Sequence, residues 1–393
     1  MNKRLNFDHV AVHSTFQMLA GIVYGFGVFM LIERGYTSAE AGICLSLNNV
    51  LNIIASPIIS NYLDNSKKYS VFESTAFLSI FVLILFVINY FLATKSLLLS
   101  IVFVVGCGIY SSLEPQVNSY SATFQNNGIN IGFSGARAAG SLSYGLVCAL
   151  FGVLSVKYSY RVVVLGGILF SLLLFISAVA IRRNYYIVKP NSEVIEDYEG
   201  IGFKDFIKNN KMFMILCIFM VGLFLGYTCI DNFMILVVEN VGGTSGDMGG
   251  ILAFKALIEG IAIFCFPLFI KKIKLEKILV LSAIMFAAKT LAILLSPNVV
   301  CLYLSQLLQA LSFAMIFPGI VEYVHINMSE KEAIRGNACL SLAIGIGSIF
   351  SSTIAGIISD TYGVSAMMIF AFIVTLVSCI GFTITMSKMT NNM

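Results

Sequence analysis

The chain has 393 residues, 58% of them hydrophobic and only 11% charged, with a mean hydropathy of +0.92. Soluble domains carry roughly 25% charged residues, so this composition excludes a soluble α/β enzyme, a nucleic-acid binder and a secreted disulfide scaffold. The net charge of +4 carries little weight, because in a membrane protein the placement of charge matters more than its sum.

A transmembrane helix needs about 20 apolar residues. In chain order, twelve segments meet that length: 10–32, 39–62, 71–93, 97–121, 134–155, 161–181, 212–238, 248–270, 277–295, 299–323, 335–358 and 365–387. Lys3 and Arg4 precede the first without a small-residue cleavage pattern, so it reads as an uncleaved span. The long polar interval from Arg182 to Lys211 contains Lys189-Pro190-Asn191-Ser192 and the acids Glu193, Glu196, Asp197 and Glu199. It divides the chain into an N-terminal six-helix bundle (1–183), a linker loop (184–211) and a C-terminal six-helix bundle (212–393). The expected fold is an all-α integral membrane protein with twelve transmembrane helices in two pseudo-symmetric bundles.

Orientation follows from Lys and Arg. With the N-terminus inside, 17 of the 24 fall on the inner side; Arg34, Lys95, Lys157 and Arg161 fall outside, and Arg137, Lys255 and Lys289 lie within spans. Both termini and the linker are therefore expected in the cytoplasm, with the chain in the plasma or inner membrane. The nine cysteines sit in apolar stretches with no C-x-x-C. That spacing supports neither a metal site nor a disulfide framework, and no cofactor is expected.

The halves repeat. Glu33-Arg34-Gly35-Tyr36-Thr37-Ser38-Ala39-Glu40-Ala41-Gly42 follows span one, and Gly242-Gly243-Thr244-Ser245-Gly246-Asp247-Met248-Gly249 follows span seven, at an offset of 207. Pro57 answers Pro267, Pro115 answers Pro318, and Ser141-Leu142 with Gly145 answers Ser341-Leu342 with Gly345. Parallel repeats joined by an inner loop are a layout of secondary transporters.

Ionised residues inside the bilayer cost about 2.5–3.5 kcal/mol each and are usually functional. Six lie within spans: Glu114, Arg137, Asp231, Lys255, Glu259 and Lys289. Lys255 and Glu259 share a helix face at i and i+4, and a compact Asp231/Lys255/Glu259/Lys289 network is expected in the C-terminal bundle. Glu114 and Arg137, on consecutive spans, are placed to pair. Such pairs can also serve only to hold bundles together, and Arg137 can snorkel. His9 and His13 are expected at the interface. Glu73, Glu322 and His325 are expected near cytoplasmic helix ends. Polar stripes at helical spacing include Asn48/Asn52/Ser56, Ser111/Glu114/Asn118/Ser121, Ser134/Arg137/Ser141/Tyr144 and Ser305/Gln306/Gln309/Ser312. They mark helix contacts or a wet cavity.

Tyr24 with the E-R-G-Y-T-S-A-E-A-G turn, P-Q-V-N (115–118), A-R-A-A-G-S (136–141), E-G-I-A-I-F-C-F-P (259–267), A-A-K-T-L (287–291) and Q-L-L-Q-A-L-S-F (306–313) resemble the major facilitator superfamily. More narrowly, the chain is similar to the branch holding lactose permease, the nucleoside–proton symporters and the phenylpropionate permeases. The resemblance implies that spans one, four, seven and ten line a cavity. It places Arg137 at its family position and Lys289 at a span-nine Arg position. Asn118 stands where the family has an acid, and Gln306, Gln309 and Ser312 stand where lactose permease has ionisable residues. It assigns proton coupling to Glu259, Asp231 and Glu114. It assigns substrate binding to Arg137, Asn118, Lys289, Lys255, Gln306, Gln309, Tyr24 and Asn232. Asp64 and Lys67, in the worn motif Ser60-x-x-x-Asp64-x-x-Lys67, take the gating positions.

The chain is thus expected to be a secondary transporter, a proton-coupled symporter of a small polar solute (nucleoside, sugar or small organic acid) working by alternating access. An efflux proton antiporter is the alternative, although span five lacks the Gly-Pro pair of such exporters. No H-x-x-x-x-D or G-x-S-x-G constellation suggests an enzyme, and no Trp offers a sugar platform. The expected partners are a small-molecule substrate, protons and the lipid bilayer, with no nucleic acid, and a monomer is expected.

Overall fold

A computed structural model describes residues 2–64, 70–129, 131, 133–188 and 203–391. Span one consists of α1 (Asn2–Ala20), a π-helical turn (Gly21–Gly25) and α2 (Gly27–Ile32). Spans two and three are α3 (Ser38–Asp64) and α4 (Val71–Phe91), and span four is split into α5 (Leu97–Ser112) and α6 (Glu114–Asn126). α7 (Phe133–Val188) carries spans five and six. After α8 (Phe203–Asn209), span seven is split into α9 (Lys211–Asn232) and α10 (Met234–Asn240), followed by α11 (Ser245–Ile270) and α12 (Leu275–Leu294). Span ten comprises α13 (Val299–Ser305), a 3₁₀ turn (Gln306–Ala310) and α14 (Phe313–Asn327); α15 (Glu330–Tyr362) and α16 (Val364–Asn391) complete the chain. No strand occurs among the described residues.

Among the described residues, ten helices are long and apolar enough to cross a membrane. The difference from the twelve predicted spans has two physical causes. Span one is divided by its π turn, and spans five and six run on as one helix except at Ser159, where φ +54 and ψ −156 break the ladder. A β-carbon makes that left-handed φ costly. The Ser159 hydroxyl donates to the Glu33 carboxylate in the turn after span one. Most of the predicted linker, residues 189–202, lies outside the described residues.

The chain divides into two compact units, Met1–Glu196 with Ser245–Ala256, and Asp197–Thr244 with Leu257–Met393. In the first, α1 and α4 pack along α7, and α3 along α5. The first half of α11 belongs here because glycine lets backbones touch. A β-carbon on Gly152 would lie 2.8 Å from the Gly249 Cα, and one on Gly249 only 2.3 Å from the Cys148 carbonyl oxygen. In the second unit, α9 packs between α15 and α16. Gly222 and Gly226, one helical turn apart, bring α9 against α16: β-carbons there would meet Ser378 Oγ at 1.9 Å and Thr375 Oγ1 at 2.0 Å. Small residues four apart allow such approach in membranes, where packing rather than the hydrophobic effect drives association. Gly226→Leu is therefore expected to destabilise the second unit by about 1–3 kcal/mol or more through overpacking. A drop of several degrees in the melting temperature of the purified protein would show it; an unchanged melting curve would refute this contact.

The repeat is written in the backbone. Gly35 (φ +88) and Gly242 (φ +80) end their helices in the left-handed conformation, which glycine adopts without a steric penalty. Tyr36 N–H donates to the Leu31 carbonyl and Gly243 N–H to the Val238 carbonyl, and α3 and α11 then start at Ser38 and Ser245. Each pair is 207 residues apart. Beside the first turn, Arg34 is buried, donates to Asn89 Oδ1 at 2.8 Å and stacks 4.3 Å over the Tyr160 ring. Burial pushes its guanidinium below the usual range, while the Tyr160 hydroxyl pulls it back up.

Candidate substrate and ion site

The spans expected to line a cavity are the ones whose helices break in mid-course. Span one breaks at the π turn and Phe26, and span seven at Phe233, again 207 residues on. Span four breaks at Leu113, ahead of Glu114-Pro115, where proline has no N–H to give to the preceding turn. Span ten breaks over Gln306–Ser312, through the 3₁₀ turn and a Ser312 with ψ −99. Each break frees backbone polar groups that hydrocarbon cannot satisfy, so irregular backbone at membrane depth belongs in protein or against water. Tyr24, Glu114, Asn232, Gln306 and Gln309 all stand at these breaks.

In the first unit, Tyr24 is 41% exposed and donates its hydroxyl to Ser111 Oγ at 2.9 Å. Its ring lies 5.7 Å from that of Tyr110, which stacks on Phe16 and donates to the Phe16 carbonyl. Glu114 and Asn118 are exposed one turn apart on α6. The expected Glu114–Arg137 pair does not form. Arg137 Nη1 donates instead to Ser141 Oγ, one turn along its own helix at 2.8 Å, and acts on Glu114 only through its longer-range field. The physical reason is local: Glu114 opens α6 immediately after the break, and Ser141 offers the guanidinium a nearer acceptor.

His9 and His13 pack inside the first unit. Both are buried, with rings edge to face at 4.8 Å, on the face of α1 that meets Ser121 and Phe124 of α6. His9 Nδ1 and His13 Nε2 have no hydrogen-bond partner. Lys255 is buried and belongs with the first unit. Asp64 closes α3; its side chain and Lys67 lie outside the described residues.

In the second unit a polar chain crosses three spans. Lys289 Nζ of α12 donates to Gln309 Oε1 at 2.5 Å, and Gln309 Nε2 donates to Glu259 Oε2 of α11 at 2.9 Å. Tyr227 of α9 closes it, with its hydroxyl oxygen 3.4 Å from Gln309 Nε2 and its ring 5.2 Å from the Lys289 ammonium. Tyr227 itself stacks on Phe313. Gln309, expected to bind substrate, thus also links Lys289 to Glu259. Asp231 lies with Lys289 and Thr290 around a cavity of about 10 Å³, close to the least space that holds one water. Asn232 is a helix tie, donating to Ser352 Oγ of α15 at 2.9 Å. Gln306 is fully buried; its amide nitrogen donates to Ser305 Oγ and the Leu302 carbonyl, and its Oε1 has no partner. A buried acceptor left unsatisfied costs about 1–3 kcal/mol, so this oxygen invites a donor. Among the described residues no cluster of His, Cys, Asp and Glu could hold a metal ion.

Ten apolar helices of membrane-spanning length among the described residues, a duplicated register and helices broken in mid-course fit a membrane transporter of the major facilitator type. The sequence profile of the MFS_1 like family matches residues 15–372, and the chain belongs to that family. It is similar to the maltose permease of Geobacillus stearothermophilus, with 22% identity over 354 residues, covering 89% of this chain and 86% of the permease. Its fold matches a crystal structure of a mutant of the nucleoside transporter NupG, with a TM-score of 0.82 at 14% identity, covering 97% of this chain and 99% of that one. It also matches an auto-inhibited peptide transporter of the POT family, with a TM-score of 0.71 at 10% identity, covering 97% and 96%.

Proposed function

We propose that the protein is a proton-coupled symporter of a small polyhydroxylated solute, a nucleoside or a sugar, that works as a monomer by alternating access in the plasma or inner membrane with both termini cytoplasmic. The observation that carries this reading is the Lys289–Gln309–Glu259 chain, set where span ten breaks. A half-buried carboxylate linked through an amide to a buried ammonium can exchange a proton for a change in its partner. When a solute hydroxyl takes the hydrogen bond of Gln309 or Lys289, Glu259 loses its stabilising donor and takes up a proton, and its carboxyl then crosses the bilayer uncharged, at lower cost than a carboxylate.

The recognition groups suit hydroxyls and a planar ring. Gln306 Oε1, Asn118 and Gln309 can accept or donate singly, and Tyr24 and the Tyr227–Phe313 stack offer aromatic faces. The solutes for which two similar proteins are named, a nucleoside and maltose, are both polyhydroxylated. Organic acids are the next class, with Arg137 and Lys289 as their cationic partners.

Proteoliposomes with an imposed alkaline-inside gradient test the reading. Radiolabelled uridine or maltose should accumulate at least tenfold above the level reached with a protonophore. Equal uptake with and without the protonophore, for a solute that binds, would exclude proton coupling.

A further inference from the structure

Beyond the transport site, the second unit holds a cavity of about 320 Å³ where α8 gives way to α9 and faces α14. That volume falls in the range of small-ligand sites. One wall is basic. Lys208 in the last turn of α8 and Lys211 in the first turn of α9 both line it, and neither has an ion pair among the described residues. Between them stands Asn210, the N-cap of the 22-residue α9, whose side chain makes no capping bond. Its amide donates instead to the Phe206 carbonyl and to Glu332 Oε1. The first N–H groups of α9 therefore lack a side-chain acceptor, and the helix end carries its partial positive charge.

The opposite wall carries a second, independent sign. Tyr323 lines the cavity at 1% exposure, and its hydroxyl is buried with no hydrogen-bond partner. Asn327, one turn further along α14, also lines it and donates to the Tyr323 carbonyl at 3.0 Å. The acids nearby are Glu332, which also accepts from the Ser329 hydroxyl, and Glu276, whose field reaches Tyr323. Two ammonium groups, an uncapped helix start and an orphaned hydroxyl donor all call for one acceptor-rich anion.

We propose that this cavity binds a phosphate group, with Lys208 and Lys211 supplying charge, the α9 N-terminus backbone donors and Tyr323 a hydroxyl donor. The basic-residue bias assigns this end of the chain to the cytoplasm, so the phosphate belongs either to a lipid headgroup of the inner leaflet or to a soluble phosphomonoester. Helix N-termini with flanking lysines bind phosphate in just this way.

The test uses the full-length protein in detergent, with thermal unfolding followed at constant ionic strength. The probes are inorganic phosphate, glycerol 3-phosphate and dioctanoyl phosphatidylglycerol, with chloride as the control. Saturable stabilisation by a soluble probe assigns a free phosphate, and stabilisation by the lipid alone assigns a headgroup. Either supports the site if the double substitution Lys208→Gln with Lys211→Gln weakens apparent affinity at least tenfold. Tyr323→Phe, which keeps the ring, should weaken it at least threefold. No saturable shift with any probe, or an unchanged midpoint in both variants, would overturn the proposal.

Discussion

Glu259→Gln is expected to abolish gradient-driven accumulation while solute exchange continues. The Glu259 carboxylate accepts from Gln309 Nε2 at 2.9 Å, and a glutamine side-chain oxygen can accept that same bond. The substitution therefore preserves the geometry and removes the charge. With the proton-carrying group gone, position 259 stays uncharged, and its movement across the bilayer no longer needs a proton. In proteoliposomes the accumulation ratio should fall at least tenfold, towards unity, while counterflow of labelled solute stays within about threefold of the unaltered protein. Full accumulation by the variant would remove Glu259 from the coupling mechanism and shift attention to Asp231 and Glu114.

Gln309→Leu should do more damage. One amide holds both the Lys289 ammonium and the Glu259 carboxylate, so leucine withdraws a hydrogen-bond partner from one buried and one half-buried charge at once. A hydrogen bond to a charged group contributes about 1.5–3 kcal/mol. Transport is expected to fall at least a hundredfold, accompanied by a clear loss of thermal stability. Gln306→Leu gives the contrast. Gln306 bonds only to Ser305 and Leu302 of its own span and leaves its Oε1 unsatisfied, so a leucine there should reduce solute affinity and leave the melting temperature unchanged. If both variants lower transport and stability together, the two glutamines share a packing role and the distinction fails.

The architecture was legible because apolar length is a property of whole segments, insensitive to local detail. The repeat was legible for a similar reason: Gly35 and Gly242 answer a steric demand that few other residues meet, so they persist while their neighbours change. The helix breaks were only half legible. Glu114-Pro115 announces one through the missing proline N–H. The π turn over Gly21-Ile-Val-Tyr24-Gly25 reads in sequence as uninterrupted apolar helix, with only its flanking glycines as a hint. The 3₁₀ turn at Gln306–Ala310 leaves less trace still, because both glutamines fit an ordinary helix.

Side-chain pairing was the least legible layer. Arg137 settles on Ser141 rather than Glu114, and Gln309 inserts itself between Lys289 and Glu259, because partners are chosen over distances of one or two ångströms. Linear spacing fixes helix faces to several ångströms only. The two histidines show the same limit: spacing alone does not predict that both are buried, with His9 edge to face on Phe124 of α6 and His13 on Phe133 of α7.

The grouping of Ser245–Ala256 with the first unit has a consequence for biogenesis. Ribosomes deliver the chain in order, so α1 to α7 enter the membrane before the glycine surface that Gly152 receives from Gly249 has been synthesised. The nascent first unit must wait, with that helix face covered by lipid or by an insertion factor, until span eight arrives. A chain severed in the linker and expressed as two genes would face the same delay without the tether that limits it.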